Sequence, residues 1–152
     1  FARGEGTEEV SSKDIAVLVA DVARSAYGLN KEITVETRGD LNILVRPNAI
    51  RRCITNLTVN ACTHAKKVEI SAERHGTFVE ICVDDDGPGI PEYEREAVFK
   101  PFYRLDSSRN PQTGGTGLGL SIARDLARGG GGDVILGISP LGGLRAQVRL
   151  PV

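Results

Sequence analysis

Apolar and polar residues follow two different periods along this chain. Strict alternation is typical of half-buried strands, whereas apolar residues three or four positions apart are typical of helices. The alternating runs predict strands over residues 33–37, 43–45, 68–72, 77–83, 134–138 and 144–150. The helical spacing predicts three helices. The first is capped by Ser12 or Asp14 and ended by Gly28, the second begins near Pro47, and the third covers residues 118–128. One or two further helical turns are predicted within residues 91–98. This order predicts an α/β sandwich, with about three helices on one face of a mixed, mostly antiparallel sheet.

Length, charge and cysteine content narrow the class of protein. The chain has 152 residues, 40% of them hydrophobic, which is enough for one compact domain. With a formal net charge of -1, the chain has no overall positive charge that would indicate binding to nucleic acid. No apolar run is long enough to span a membrane. Three cysteines without metal-ligand spacing indicate reduced thiols in a cytosolic setting. Residues 1–10 are polar and contain glycine, so we expect a linker from a larger protein there, followed by one domain over residues 11–152.

Three carboxylates stand where the fourth predicted strand ends. Residues 84–86 are all aspartate, and they lead into the turn Gly87-Pro88-Gly89, where glycine permits close backbone approaches. Acids in this position can bind a metal, or one of them can accept a hydrogen bond from a base in a pocket. A surface turn without any ligand is the third interpretation, and the stretch alone leaves all three open.

A row of polar side chains follows one edge of the second predicted helix. Asn56, Asn60 and His64 are four residues apart, so they lie on neighbouring turns beside the apolar face. Such a row forms either a solvated edge or the wall of a cleft. Glu, Lys and Arg favour helix formation better than Asn does on a solvated face, so the two amides favour the cleft.

A glycine-rich stretch, residues 114–119, precedes the third predicted helix. Glycines at a helix start expose backbone N–H groups, and the helix dipole favours anions there, so the stretch is suited to phosphate. A flexible hinge is the alternative, and the two are compatible. Residues 100–116 are polar and contain two prolines, which predicts a mobile loop before this stretch.

Taken in chain order, the stretches 56–64, 83–90 and 114–121 resemble the N, G1 and G2 boxes of the GHKL ATP-binding superfamily. Residues 99–104 resemble the F box of the same superfamily. The best resemblance is to the catalytic ATP-binding domain of bacterial sensor histidine kinases of the osmosensor type, and it covers nearly the whole chain. It implies the Bergerat fold, with ATP and Mg²⁺ as cofactors.

The resemblance also implies roles for individual residues. Asp85 accepts a hydrogen bond from the exocyclic amine of adenine, Asn60 holds Mg²⁺, and His64 lies against the adenine or ribose. Arg104 reaches the phosphates from the loop. The other nucleotide contacts that the resemblance implies are Gly87, Gly89, Ile90, Phe99, Gly115, Thr116, Gly117, Leu118, Gly119 and Leu120. Thr63 departs from the basic residue that many histidine kinases carry there, so one phosphate contact is expected to be missing.

Asn56 separates the branches of the superfamily. The ATPases and serine-directed kinases that share these boxes carry a Glu four residues before the N-box Asn, as a base for water or hydroxyl. An amide cannot take a proton near neutral pH, so Asn56 disfavours both reactions. Transfer to a histidine needs mainly positioning, because imidazole is already a nucleophile.

The resemblance finally implies partners and a setting. The acceptor histidine is expected on a separate dimerisation domain, because neither His64 nor His75 is followed by an acidic residue. A response-regulator receiver domain is the expected second partner. The parent is expected to be a phosphorylated homodimer anchored in the bacterial inner membrane, with this domain in the cytoplasm. A non-catalytic nucleotide-sensing or docking module of the same fold is the alternative function.

Overall fold

A computed structural model of the chain describes residues 8–26, 32–101 and 119–152, and one five-stranded sheet organises them. Its strands are β2 (Glu32–Arg38), β4 (Lys67–His75), β5 (Phe78–Asp85), β6 (Asp133–Ile138) and β7 (Leu144–Pro151). Their order in space is β2-β4-β5-β7-β6, with β2 parallel to β4 and the remaining pairs antiparallel. The predicted mixed and mostly antiparallel sheet is therefore confirmed.

Three α-helices accompany this sheet in the described ranges: α1 (Ile15–Ala26), α2 (Pro47–His64) and α3 (Gly119–Gly129). Pro47 occupies the first turn of α2, as predicted, where its missing N–H costs no hydrogen bond. The core lies between the helices and the sheet, and its fully buried side chains include Ile54, Ile81 and Val148. None of the helices in the described residues is long and apolar enough to cross a membrane.

A second, two-stranded sheet decides between the two caps that were predicted for the first helix. Ser11–Asp14 forms β1, which pairs antiparallel with β3 (Asn42–Val45), so Ser12 faces Leu44 in a ladder and caps no helix. Asp14 is the cap, because its carboxylate accepts the N–H of Ala16 at 2.9 Å. The local sequence of β1 has no strand pattern, and the strand exists because β3 supplies its hydrogen bonds. The predicted helix end at Gly28 lies outside the described residues.

The fourth predicted strand also runs further than its sequence pattern indicated. It continues past Val83 through Asp84 and Asp85, which pair with Glu69 and Val68 of β4. Asp84 is buried, and its carboxylate accepts two hydrogen bonds from Arg145 at 2.8 and 3.0 Å. A charged strand end is stable here because a distant arginine neutralises it, which the local pattern does not indicate.

The glycine run after α3 forms a hydrogen-bonded turn. The N–H groups of Gly130 and Gly132 donate to the carbonyl of Ala127 at 3.1 and 2.9 Å. Gly131 has φ +86°, which favours glycine, and a Cβ on Gly132 would lie 1.9 Å from the carbonyl oxygen of Arg149. The run therefore ends the helix and permits close packing of the chain against β7.

Candidate functional site

The carboxylate of Asp85 lies at the centre of the candidate site. Asp85 is 3% exposed, and its Oδ1 accepts the backbone N–H groups of Gly87 at 2.9 Å and Leu144 at 3.0 Å. Burial raises the pKa of this carboxyl, while the two backbone hydrogen bonds oppose that rise. Within the described residues both hydrogen bonds end on Oδ1, and none ends on Oδ2. The glycine turn and the start of β7 therefore fix the orientation of this carboxylate.

The glycine turn after Asp85 contacts the C-terminal end of α2. A Cβ on Gly87 would lie 2.7 Å from the carbonyl oxygen of His64, so only glycine fits there without a shift. Gly89 has φ +73°, a backbone conformation that favours glycine. The structure thus brings together the strand end and the helix end that carry the predicted G1 and N boxes.

The predicted polar row of α2 leads away from Asp85. His64 is exposed, while Asn60 and Asn56 are half-buried one and two turns further from the strand end. At the α-helical rise, each step of four residues covers about 6 Å, so the row extends over about 12 Å. The charge interaction with His64 lowers the pKa of Asp85, opposing the effect of its burial.

Thr63 and the buried face of α2 have structural partners of their own. The hydroxyl of Thr63 donates to the carbonyl of Val59 at 2.8 Å, a bond within the helix. All five residues of the apolar face predicted for α2 are buried: Ile50, Cys53, Ile54, Leu57 and Ala61. Burial raises the pKa of the Cys53 thiol to about 12, so this thiol stays protonated. The row and the core thus occupy neighbouring faces of one helix, as the sequence predicted.

Gly143 belongs to the site, although the sequence predicted only a turn over residues 139–143. Its N–H donates to the carbonyl of Asp85 at 3.0 Å. A Cβ on Gly143 would lie 2.2 Å from Oδ1 of Asp85 and 2.5 Å from the nitrogen of Gly87. The glycine pair in the turn was visible in the sequence, but its contact with Asp85 depends on the pairing of β5 with β7.

The neighbours of Asp85 have other roles. Asp84 is paired with Arg145, which raises the pKa of that guanidinium. Asp86 is exposed and accepts the N–H groups of Lys66 and Lys67 at 2.9 and 3.0 Å, which lowers the pKa of its carboxyl. In the described parts of the chain, no three His, Cys, Asp or Glu side chains lie close enough to hold a metal ion. The described structure therefore does not support a metal cluster built from these acids.

The segment after the glycine turn is attached to α3. Two 3₁₀ turns form at Glu92–Glu94 and Ala97–Phe99, as the sequence predicted. Ile90 packs partly against the core, and Phe99 is buried with the guanidinium of Arg124 3.9 Å above its ring. Arg124 also donates to Glu96 at 2.9 Å and to Asp133 at 3.0 Å. Arg124 therefore connects the predicted F-box phenylalanine to α3 and β6.

The first three residues of α3, Gly119, Leu120 and Ser121, are the described part of the predicted G2 box. Leu120 packs partly against the core. Among the described residues, nothing beyond its chain neighbours and its own helix lies within 4 Å of a Cβ built on Gly119. The remaining predicted contacts, together with most of the predicted loop, lie outside the described residues: Arg104, Gly115, Thr116, Gly117 and Leu118.

The sequence profile of the "Histidine kinase-, DNA gyrase B-, and HSP90-like ATPase" family matches residues 45–152. The chain therefore belongs to this ATPase family. Its relatives within the family are sensor histidine kinases: GtrS of Pseudomonas aeruginosa is 39% identical over 144 residues, and CpxA of Escherichia coli is 37% identical over 134 residues. These alignments cover 95% and 87% of this chain but only 29% of each relative.

Solved structures show the same fold. The ATP-binding domain of PrrB from Mycobacterium tuberculosis has a TM-score of 0.80 and 31% identity, covering 95% of this chain and 98% of that domain. The nucleotide-free catalytic domain of the histidine kinase ThkA has a TM-score of 0.79 and 26% identity, covering 94% of this chain and 97% of that one. The predicted α/β sandwich of the GHKL type is thereby confirmed.

Proposed function

We propose that this chain is the catalytic ATP-binding domain of a sensor histidine kinase. It binds Mg-ATP and presents the γ-phosphate to a histidine on a separate dimerisation domain. The observation that carries this proposal is the buried Asp85, which two backbone N–H groups hold in place beside the end of α2. The family match and the sensor histidine kinase relatives support the same assignment.

Asp85 selects adenine over guanine. The adenine amine donates to Oδ2, the oxygen that accepts no hydrogen bond in the described residues. Guanine presents a carbonyl at that position, and two acceptors facing each other in a buried site leave both unsatisfied. A hydrogen bond to a charged acceptor contributes about 1.5–3 kcal/mol. This corresponds to a preference of about 10- to 150-fold.

Asn60 and the start of α3 serve the phosphate end. Mg²⁺ binds oxygen ligands and retains several waters, so one amide oxygen from Asn60 together with phosphate oxygens suits it. When bound, the ion would neutralise charge on the phosphates. The N-terminal end of α3, at Gly119, supplies backbone N–H groups and the positive end of a helix dipole. Arg104 and the glycines at 115 and 117 would complete this end.

Asn56 suits transfer to histidine better than hydrolysis. It is half-buried on the same row as Asn60, where it can position a phosphate or water but cannot remove a proton. Imidazole attacks without a protein base, so the domain has to align ATP rather than activate the acceptor.

The acceptor lies on another domain. His64 is at the adenine end, beside Asp85 and away from the phosphates. His75 ends β4, where its ring lies 3.2 Å from a carboxylate oxygen of Glu73 and 5.5 Å from the ring of Phe78. A dimerisation domain of the parent kinase is therefore the partner, and a response-regulator receiver domain is the next acceptor. We further propose that the parent is anchored in the inner membrane with this domain in the cytoplasm.

Labelled ATP tests this function. The chain is incubated with γ-labelled ATP and Mg²⁺ alone, and then with the parent's dimerisation domain added in trans. We expect acid-labile label on the added domain and none on this chain, and we expect Asn60→Ala to abolish the transfer. Label on this chain alone would overturn the proposal. ATP binding without transfer to the added domain would instead favour the nucleotide-sensing or docking module.

A further inference from the structure

The guanidinium of Arg124 is held by contacts along its edge and on its flat face. Its Nη1 and Nη2 donate to the two carboxylate oxygens of Glu96 at 2.9 and 3.2 Å, and its Nε donates to Asp133 at 3.0 Å. Its Cζ lies 3.9 Å from the centroid of the Phe99 ring. These contacts use the planar fork and the face of one guanidinium together, which the compact ammonium of a lysine does not offer.

Stability alone does not account for a charged residue in this position. The side chain of Arg124 is 12% exposed, and an ion pair taken out of water loses in desolvation much of what it gains in attraction. Apolar residues of similar volume often replace such pairs without loss of stability. What a satisfied polar network adds is orientation, because a guanidinium with fixed partners on several chain segments imposes one relative placement of them.

Arg124 joins the two ends of the segment that carries several of the proposed phosphate contacts. Phe99 is the last residue of the 3₁₀ turn Ala97–Phe99, and α3 begins at Gly119. Arg124 lies about 8 Å along the helix axis from Gly119. Asp133 holds the same guanidinium from β6. The position of Phe99 relative to the start of α3 is therefore set by a contact among three elements of the fold.

The adenine end of the site is oriented by different residues. The carboxylate of Asp85 is fixed by the N–H groups of Gly87 and Leu144. The contacts of Arg124 with Glu96, Phe99 and Asp133 involve neither the glycine turn nor the start of β7. A change at Arg124 is therefore expected to leave adenine recognition intact and to act on the phosphate end.

We propose that Arg124 is a positioning residue for phosphoryl transfer, which acts through Phe99. The inference rests on the proposed function, because that function places the phosphates at the start of α3 and beside the chain that follows Phe99. By fixing the ring against α3, the guanidinium sets the point from which this chain departs. Transfer needs an aligned γ-phosphate, and a misplacement of about 1 Å can cost about 100-fold in rate.

Arg124→Lys tests this role, and Arg128→Lys is the matched control. Lysine keeps the positive charge at both positions but lacks the planar fork. Arg128 lies one turn later on α3 and also pairs with Asp133, at 3.1 Å, but its side chain is 54% exposed. Transfer of label from γ-labelled ATP to the parent's dimerisation domain is measured at saturating ATP. Calorimetry gives the affinity for ATP at the same temperature, chosen so that circular dichroism shows every variant to be folded.

The expected result is a loss of rate without a matching loss of affinity. We expect Arg124→Lys to lower the transfer rate at saturating ATP at least about tenfold, and the affinity for ATP less than about threefold. Arg128→Lys should change neither by more than about twofold. Phe99→Leu should also slow the transfer. The double variant of Phe99 and Arg124 should be about as slow as the slower single variant, because the two residues act as a unit.

An unchanged transfer rate in Arg124→Lys would overturn the proposal. Equal losses of rate and affinity would overturn it too, since they indicate a disturbed ATP site rather than a misplaced γ-phosphate. Multiplying losses in the double variant would show that Arg124 does not act through Phe99. If the unmutated chain transfers no label, the proposed function fails and this role fails with it. Transfer by the unmutated chain that Arg124→Lys leaves unchanged rejects the role of Arg124 alone.

Discussion

Oδ1 of Asp85 and the backbone N–H of Leu144 are joined by a hydrogen bond of 3.0 Å, although 59 residues separate them in the chain. The bond connects the end of β5 to the start of β7, and Gly143 stands directly before it. The acceptor proposed to recognise adenine is therefore positioned by the last hairpin of the domain as well as by its own glycine turn.

Gly143→Ala should weaken nucleotide binding. The added Cβ would lie 2.2 Å from Oδ1 of Asp85 and 2.7 Å from the Asp85 carbonyl oxygen, so the carboxylate or the turn must move. We expect the affinity for ATP to fall by at least about tenfold, with a loss of about 1–3 kcal/mol in unfolding free energy. Gly137→Ala is the control, because its Cβ would meet no atom of the described residues within 4 Å. Unchanged ATP affinity in Gly143→Ala by calorimetry would show that the turn does not position Asp85.

Asp85→Asn should weaken adenine recognition without lowering the stability of the fold. Burial raises the pKa of Asp85 in the folded state, so the folded chain holds the proton more tightly than the unfolded chain. Stability therefore falls as the pH rises through the region above the ordinary Asp pKa. Asn keeps an oxygen for Gly87 and Leu144 without the buried charge. We expect the Tm of Asp85→Asn to equal or exceed that of the unmutated chain at pH 7, with the difference vanishing near pH 3. A lower Tm at pH 7 would contradict this account.

Arg124 should matter more for stability than either of its acidic partners alone. Its side chain is 12% exposed and covers the ring of Phe99, while the side chain of Glu96 is 81% exposed. We expect Arg124→Ala to cost about 1–3 kcal/mol of unfolding free energy, and Glu96→Gln less than about 1 kcal/mol. Urea unfolding measures both. Equal losses would show that the ion pair, rather than the ring contact and packing, carries the effect.

Asp133 should make the domain sensitive to acid. Although burial opposes it, hydrogen bonds from Arg124 and Arg128 lower the pKa of its carboxyl in the folded state. The stabilisation is present above the unfolded pKa and is lost as the pH falls through the folded value. We expect Asp133→Asn to reduce stability at pH 7 and to make it less dependent on pH below about 4. A pH profile parallel to that of the unmutated chain would contradict the assignment.

ATP hydrolysis by the isolated chain should be slow. In the proposed arrangement Asn56 takes the place of a base for water, and an amide cannot accept the proton. Phosphate release is measured with the unmutated chain and with Asn60→Ala, which should lack bound Mg-ATP. Rapid release that Asn60→Ala abolishes would show that another residue of this site acts as the base.

The local sequence pattern was sufficient to predict elements whose backbone hydrogen bonds form within the element or with the next element in the chain. The apolar face of α2 and the hairpins of β4 with β5 and β6 with β7 follow directly from spacing and turn residues. β1 could not be predicted in this way, because Ser11–Asp14 is a strand only when paired with β3. The parallel pairing of β2 with β4 could not be predicted either, because it depends on how the whole chain folds and not on the local sequence.

The same distinction between local and long-range signals applies to the candidate site. The strand end near Asp85 and the glycine turn after it were predictable, because an alternating run followed by Gly87-Pro88-Gly89 is a local signal. The contact of Gly143 with Asp85 and of Arg124 with Phe99 was not, because each joins segments that meet only in the folded sheet. The individual nucleotide-binding roles rest on the resemblance to histidine kinases and stay predictions.

Calorimetric titration of the chain with nucleotides tests the central claim most directly. With Mg²⁺ present, ATP should bind, GTP should bind at least about tenfold more weakly, and Asp85→Asn should lose most of this difference. The result that would contradict the account is equal binding of ATP and GTP by the unmutated chain, or no binding of ATP at all.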